Sequence, residues 1–274
     1  MHHVTVKGAR VPALGLGTWQ LEGTTCNRIV RAALDLGYRH IDTAQAYHNE
    51  AWVGQAIAES GIDRSDIFLT TKIWYDQLAG ADLPGSAADS LRRLRTDYVD
   101  LLLIHWPNPR IPLTETLRAL EAVRASGRAR YIGVSNFTVP LLREAVEQLE
   151  VDLLCDQVEY HPFLSQRRVL EFLRGHGMML TAYSPLARGQ VVNHPVLTEI
   201  GRRYDRSAAQ VALRWLVQQD GVAVIPKASR EENLRSNLAV FDFALSDEDH
   251  AAISRLSGNV RLVNPAWAPA WDAA

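Results

Sequence analysis

The 274-residue sequence predicts an α/β fold, a (β/α)8 TIM barrel with an N-terminal β-hairpin and a C-terminal extra helix and tail. Short apolar runs alternate with amphipathic stretches almost to the end of the chain. The runs number eight, and the length is near the roughly 250 residues that such a barrel uses. Eight strand–helix units favour a closed parallel barrel over a doubly wound sheet, because right-handed crossovers place every helix outside. No linker-like, low-complexity or repetitive stretch interrupts residues 1–274, which read as one domain.

Residues 4–11 come first and, with Lys7-Gly8 at their centre, read as a small hairpin plugging the N-terminal end of the barrel. The barrel strands are expected at 13–18, 39–43, 67–73, 99–105, 131–135, 153–157, 178–183 and 222–226. Between them, Ile29, Val30, Ala33 and Leu34 share a helical face, as do Leu141, Leu142, Ala145, Val146 and Leu149, and then Ala208, Val211, Ala212 and Trp215. Ser207 with Gln210 fits a capping box, and Ser246 with Asp249 fits the looser version before a final helix. The tail, with Trp267 and Trp271 among small residues and prolines, is too irregular for another helix and is expected to fold over the barrel mouth.

Hydrophobic residues make up 47% and charged residues 22%, ordinary for a globular chain with ample core. A net charge of −2, from 29 basic and 31 acidic residues, leaves no basic run to follow a nucleic-acid backbone. Cys26 and Cys155 form no disulfide framework, and Cys155 reads as a buried thiol. With no signal-like or membrane-length apolar run, the expected location is the cytoplasm, with no membrane partner. His2 and His3 read as flexible terminal residues or tag remnants. No metal-ligand spacing, nucleophile elbow or phosphate loop is present.

Chemistry in such a barrel belongs where strands end. The second strand ends in Ile41-Asp42-Thr43-Ala44 and is followed by Tyr47; the third ends in Thr71-Lys72-Ile73-Trp74; the fourth ends in Ile104-His105-Trp106-Pro107. Singly, Lys72 is a snorkelling lysine, Asp42 a turn former and Tyr47 a packing residue. Together at successive strand ends they point to proton donation to a carbonyl oxygen. A phenol with a free pKa of about 10 is a poor acid at neutral pH. An ammonium beside it stabilises phenolate and lowers that pKa, while a carboxylate keeps the ammonium charged and in place. Tyr47, Lys72 and Asp42 fit those roles. His105 would hydrogen-bond the carbonyl oxygen and support the charge that develops there.

Over essentially its whole length the chain resembles the aldo-keto reductase family. The resemblance is carried by Leu14-Gly15-Leu16-Gly17-Thr18-Trp19, by Gly37-Tyr38-Arg39-His40-Ile41-Asp42-Thr43-Ala44 with Tyr47 and Asn49-Glu50, and by Thr71-Lys72 with Trp74. Asp97-Tyr98-Val99-Asp100-Leu101, His105-Trp106-Pro107, Gly133-Val134-Ser135-Asn136-Phe137, Gln157, Tyr183-Ser184-Pro185-Leu186 and Ile225-Pro226-Lys227 follow in order. Within the family the look is nearest to the bacterial 2,5-diketo-D-gluconate reductase branch, B type, whose short tail resembles Arg261-Leu262-Val263-Asn264-Pro265 and Ala268-Pro269-Ala270-Trp271-Asp272. It implies a catalytic tetrad of Asp42, Tyr47, Lys72 and His105, with Tyr47 as proton donor.

It also implies NADPH (NADP+) extended across the mouth without a Rossmann domain. The run from Gly15 to Gln20 half-matches the dinucleotide fingerprint but lacks its third glycine. On the resemblance, Gly17, Thr18, Trp19 and Asp42 border the cofactor, Tyr183 stacks on nicotinamide, and Ser135, Asn136 and Gln157 hydrogen-bond its carboxamide. Ser184, Pro185, Leu186 and Gly189 would follow the pyrophosphate, and Pro226, Lys227, Ser229, Arg230, Asn233 and Asn237 would surround the adenosine phosphate. Ala228 stands where the family commonly has serine and Asn233 where it commonly has arginine, so a 2′-phosphate is left with Lys227, Ser229 and Arg230.

Trp19, Tyr47, Trp74, His105, Trp106 and Trp267, or Trp271 in its place, are the expected walls of an open substrate pocket. Sugar-derived diketones, methylglyoxal, β-keto esters and aromatic aldehydes all suit it. A small carbonyl compound is the expected partner of a monomer. A redox-sensing regulatory subunit of the same fold is the alternative; the complete tetrad and the lack of an added partner-binding extension speak against it. A cofactor-free isomerase using Lys72 for a Schiff base would leave Asp42 and Tyr47 idle.

Overall fold

The computed structural model describes residues 2–272. Strands β1 (His3–Val6) and β2 (Ala9–Pro12) form the antiparallel hairpin, Val4 facing Val11. Its two-residue turn puts Lys7 and Gly8 at φ 47° and 78°, the left-handed geometry that tight hairpins need. Ala9 and Val11 pack onto Phe68, Leu101, Leu103, Leu154 and Met179, so the hairpin does plug the barrel's N-terminal end. His2 and His3 are not loose ends: His2 stacks on Phe241 at 4.7 Å and His3 opens β1.

Eight parallel strands follow: β3 (Leu16–Gly17), β4 (His40–Asp42), β5 (Phe68–Ile73), β6 (Val99–Ile104), β7 (Ala129–Ser135), β8 (Cys155–Glu159), β9 (Met179–Tyr183) and β10 (Val222–Val224). Each pairs with its neighbour in chain order. The ring is completed by the bridges Leu14–Val224 and Gly17–Lys227. This is the expected (β/α)8 barrel. Outside it lie α1 (Gly23–Asp35), α2 (Glu50–Glu59), α3 (Leu83–Leu94), α4 (Leu113–Ala125), α5 (Val139–Arg143), α6 (Arg167–Gly175), α7 (Pro195–Tyr204), α8 (Ala208–Val217), α9 (Glu231–Leu238) and α10 (Asp247–Ser254). The main apolar core lies between these helices and the strands. No described helix is long and apolar enough to cross a membrane.

Some boundaries differ from the sequence reading. The first barrel strand, expected over 13–18, forms a ladder only at Leu16–Gly17; a Cβ at Gly17 would stand 2.5 Å from the Ile225 carbonyl oxygen, so glycine permits the close approach. The sixth, expected at 153–157, runs two residues later as Cys155–Glu159; Leu153 and Leu154 are buried in the segment that leads into it, so their apolar character alone does not mark the start of the ladder. The apolar face spanning Leu141 to Leu149 is not one regular helix: after α5 the chain widens into a π turn, Glu144–Gln148, which buries Leu142 and Ala145 and leaves the others half-buried. The capping box at Ser207 is reciprocal, and Ser246 accepts from the Asp249 amide.

Candidate active site

Asp42 ends β4, Lys72 lies on β5, and His105 follows β6 with its amide donating to the Ile73 carbonyl at 3.0 Å. Tyr47 is carried by one 3-10 turn, Gln45–Tyr47, held on both sides. Gln45 Nε2 donates to Ser86 Oγ (2.8 Å) and Ser90 Oγ (2.9 Å), while its Oε1 accepts the Trp74 amide at 2.8 Å. Asn49 Nδ2 donates to the Thr18 and Leu21 carbonyls, and His48 at φ 54° turns the chain between these anchors.

Lys72 Nζ donates to Asp42 Oδ1 (2.5 Å) and the Thr43 carbonyl (2.8 Å), and lies 3.3 Å from the Tyr47 hydroxyl. All three ammonium hydrogens are thus committed. The Lys72 and Asp42 side chains are 0% and 1% exposed, and Asp42 Oδ2 accepts from Gln157 Nε2 at 2.7 Å. Burial alone would push the Lys72 pKa down; Asp42 and Tyr47 outweigh it and hold the ammonium above its ordinary range.

For Tyr47 the sign differs from the sequence expectation. Burial raises the phenol's pKa, Lys72 pulls it down, and burial wins, so the phenol titrates above its ordinary value. Lys72 tempers the effect of burial without reversing it, and Tyr47 stays protonated at neutral pH. Burial and the nearby Lys72 charge drive His105 well below its ordinary pKa, so its ring is neutral. That ring meets Tyr47 and Trp74 edge-on at 5.6 and 5.1 Å.

Gly17, Thr18, Trp19, Asp42, Tyr47, Trp74, His105, Trp106, Asn136, Gln157, Tyr183, Ser184, Lys227 and Trp267 border one cavity of about 1040 Å³. Lys72 is sealed behind Asp42 and Tyr47. The remaining sequence-expected residues stand back from the cavity wall. Ser135 is buried, donating to the Gln157 carbonyl at 2.7 Å and accepting from Asn136 Nδ2 at 3.1 Å. Pro185, Leu186 and Gly189 belong to the loop after β9, where Ser184, Ala187, Arg188 and Gly189 all take positive φ. Pro226 is buried beside the strand seam, and Ser229, Arg230 and Asn233 are exposed around the start of α9. Asn237 is buried against the Tyr38 phenol. Trp267 rather than Trp271 reaches the cavity, packing on Trp74, Tyr75 and Trp106 at 5.8, 4.9 and 5.0 Å; Trp271 lies farther out under Arg261.

Several features suit a dinucleotide. Tyr183 donates to Asn136 Oδ1 at 2.7 Å, so these two and Gln157 form one fixed polar edge. Arg188 lies over the Trp19 ring at 5.3 Å, and both border the cavity. Among the described residues neither Lys227 nor Arg230 is paired with a carboxylate, which leaves two exposed cations for an anion. Gln45 and Glu159 escaped the sequence reading. Gln45 had a positional signal, two residues before Tyr47; Glu159 shares a strand face with Gln157 only once the strand is known to run past residue 157.

A barrel whose strand ends bury a charge pair against a phenol beneath an aromatic-walled cavity defines a class, and the chain belongs to the aldo/keto reductase family, whose model matches residues 13–257. The methylglyoxal reductase DkgB of Salmonella typhimurium is 44% identical over 266 residues, covering 96% of this chain and 99% of that protein. The glyoxal reductase of Bacillus subtilis is 41% identical over 256 residues, covering 93% and 92%. A crystal structure provisionally described as a 2,5-diketo-D-gluconic acid reductase B superposes with TM-score 0.97 at 50% identity, covering 100% of this chain and 98% of the other. The aldose reductase of Schistosoma japonicum superposes with TM-score 0.93 at 30% identity, covering 98% and 96%.

Proposed function

We propose that this protein is an NADPH-dependent carbonyl reductase that converts small aldehydes and ketones, of the methylglyoxal or 2,5-diketo-D-gluconate kind, to alcohols. The observation that carries the reading is the buried Asp42–Lys72–Tyr47 chain of contacts opening on a cavity beside a neutral His105. When bound, the nicotinamide supplies hydride to the carbonyl carbon. Tyr47 gives its proton to the carbonyl oxygen, so hydride and proton together complete the alcohol. Lys72 stabilises the phenolate left behind, and Asp42 keeps Lys72 charged and aimed. The neutral His105 ring donates a hydrogen bond to the carbonyl oxygen, which fixes its orientation and supports the developing charge.

Asn136, Gln157 and Tyr183 would hold the nicotinamide end, the Ser184–Gly189 loop with Arg188 the pyrophosphate, and Lys227 with Arg230 the 2′-phosphate. The reading takes the protein as a monomer acting as a single domain over residues 1–274, with the whole tetrad supplied by one chain. A Schiff-base isomerase is disfavoured because Lys72 is fully buried with every hydrogen committed. Purified protein should oxidise NADPH when given methylglyoxal, 2,5-diketo-D-gluconate or nitrobenzaldehyde; NADPH binding without turnover across a broad carbonyl panel would favour the regulatory-subunit reading. Lys227→Met or Arg230→Met should weaken NADPH about 10- to 150-fold, the effect of one charge-assisted hydrogen bond, and leave NADH nearly unchanged. Dissociation constants for both cofactors decide this, and an undiminished NADPH preference in both variants rejects the assignment.

A further inference from the structure

Glu159 is the last residue of β8, and its side chain is 0% exposed. Strand alternation sends Gln157 and Glu159 to the same side, Gln157 to Asp42 and Glu159 to the C-terminal tail. Its Oε1 accepts the Leu262 amide at 2.8 Å, and its Oε2 accepts the Val263 amide at 2.9 Å. His161 completes the group. The Phe163 amide donates to His161 Nδ1 at 3.3 Å, so the ring proton sits on Nε2, 2.9 Å from Glu159 Oε1. Burial would raise the Glu159 pKa, but the bonds from His161, Leu262 and Val263 outweigh it and keep the carboxylate ionised.

The two residues held this way border the cavity, and the chain beyond them carries Trp267 to its place on Trp74 and Trp106. The tail from Leu262 to Asp272 contains neither helix nor strand. Its position therefore depends on point attachments, and here two consecutive amides are met by the two separate oxygens of one buried carboxylate. A glutamine would turn an NH2 toward one of those amides.

We infer that Glu159 is a positioning residue for substrate selection: by tethering the backbone at Leu262 and Val263 it sets the distance between the Trp267 wall and the reacting end of the cavity at Tyr47 and His105. The selection half of this inference rests on the reductase reading; the tether half does not.

The test is Glu159→Gln. Losing one charge-assisted bond should raise KM for nitrobenzaldehyde, which needs the aromatic wall, about tenfold or more. The kcat for methylglyoxal and the NADPH dissociation constant should stay within about threefold, because no tetrad contact is lost. Trp267→Ala should raise the same KM, and the double variant should be no worse than Trp267→Ala alone, since both act through one wall. Independent penalties that multiply would overturn the inference, as would an unchanged KM in a folded Glu159→Gln protein. Hydrogen exchange needs no substrate. In wild type the Leu262 and Val263 amides should exchange far more slowly than that of Asn264, and Glu159→Gln should remove this protection and open the Arg261–Leu262 bond to trypsin. Fast exchange at both amides in wild type refutes the tether even if the variant does not fold, whereas slow exchange in a protein inactive toward all carbonyls refutes only the reductase reading.

Discussion

Both ends of this barrel bury a carboxylate, paired with two arginines at one end and one lysine at the other, and they use it differently. At the closed end Asp100 on β6 accepts from Arg64 (2.8 Å), Arg130 (2.9 Å) and the Leu69 amide (3.0 Å), and both guanidiniums lie over the Tyr98 ring at 4.3 and 4.2 Å. Those arginine side chains are 20% and 46% exposed. At the open end the Lys72 and Asp42 side chains are buried, and the third partner of the ammonium is a phenol that borders a cavity. Partners that saturate one another contribute stability. A charge pair that keeps a titratable group as its third partner supplies chemistry.

The largest effects should separate these roles within the open end itself. Lys72→Met strands Asp42 without its counter-charge and should destabilise the fold by about 3–5 kcal/mol. It should also lower kcat by about 10²-fold or more, since the phenolate loses its support. Tyr47→Phe should produce a similar fall in kcat while the melting temperature and cofactor affinity stay close to wild type. Equal turnover by Tyr47→Phe would remove the phenol as proton donor, and an unaffected fold in Lys72→Met would show that Asp42 finds another partner.

Asp100→Asn at the closed end should cost about 1–3 kcal/mol, less than the open-end pair because water already screens both arginines. Its kcat and KM should match wild type. A kinetic defect of tenfold would break the division between the two ends.

The smallest effect concerns pH. Burial lowers the pKa of both His105 at the open end and His40 near the closed end, so the folded chain keeps both rings neutral. The unfolded chain takes up protons below about pH 6.5, so stability is full above that value and declines as pH falls toward the depressed folded values, by at most about 1.4 kcal/mol per pH unit for each ring. Urea titrations between about pH 7 and 5 measure the slope; His105→Gln should flatten it by one proton's share. Over that range kcat/KM should carry no titration from His105, and a clear limb near the ordinary histidine pKa that disappears in His105→Gln would contradict the neutral ring.

Much of this was legible before the fold. Asp42, Lys72 and His105 were readable because each closes an apolar run bounded by turn residues, and strand ends share one face of a parallel barrel. Glu159 was not readable as a site residue, because 151–155 is apolar with one exception and a strand buried on both faces gives no alternation to mark its end. The strand therefore appeared to stop at Gln157. The π turn after α5 was hidden for a related reason: spacing at i, i+4 tolerates one extra residue per turn without losing its stripe. The Tyr47 pKa was misjudged in sign because charge neighbours can be read from motif order, whereas the depth of burial that outweighs Lys72 exists only once the walls are in place.

The seam of the barrel has a mechanical meaning. The hoop is joined between β3 and β10 by single bridges at Leu14–Val224 and Gly17–Lys227, with amide bonds from Gly15 to the Val224 carbonyl and from Val224 to the Ala13 carbonyl, both 2.8 Å. Gly17 and Lys227 are also residues on which the proposed cofactor would rest. A nucleotide lying there is a buckle across the joint, and at a hundredfold excess over its dissociation constant it adds about 2.7 kcal/mol to the folded state. The seam amides of Gly15, Gly17 and Val224 would be those it slows most, so the molecule that reacts in the mouth would also hold the hoop shut.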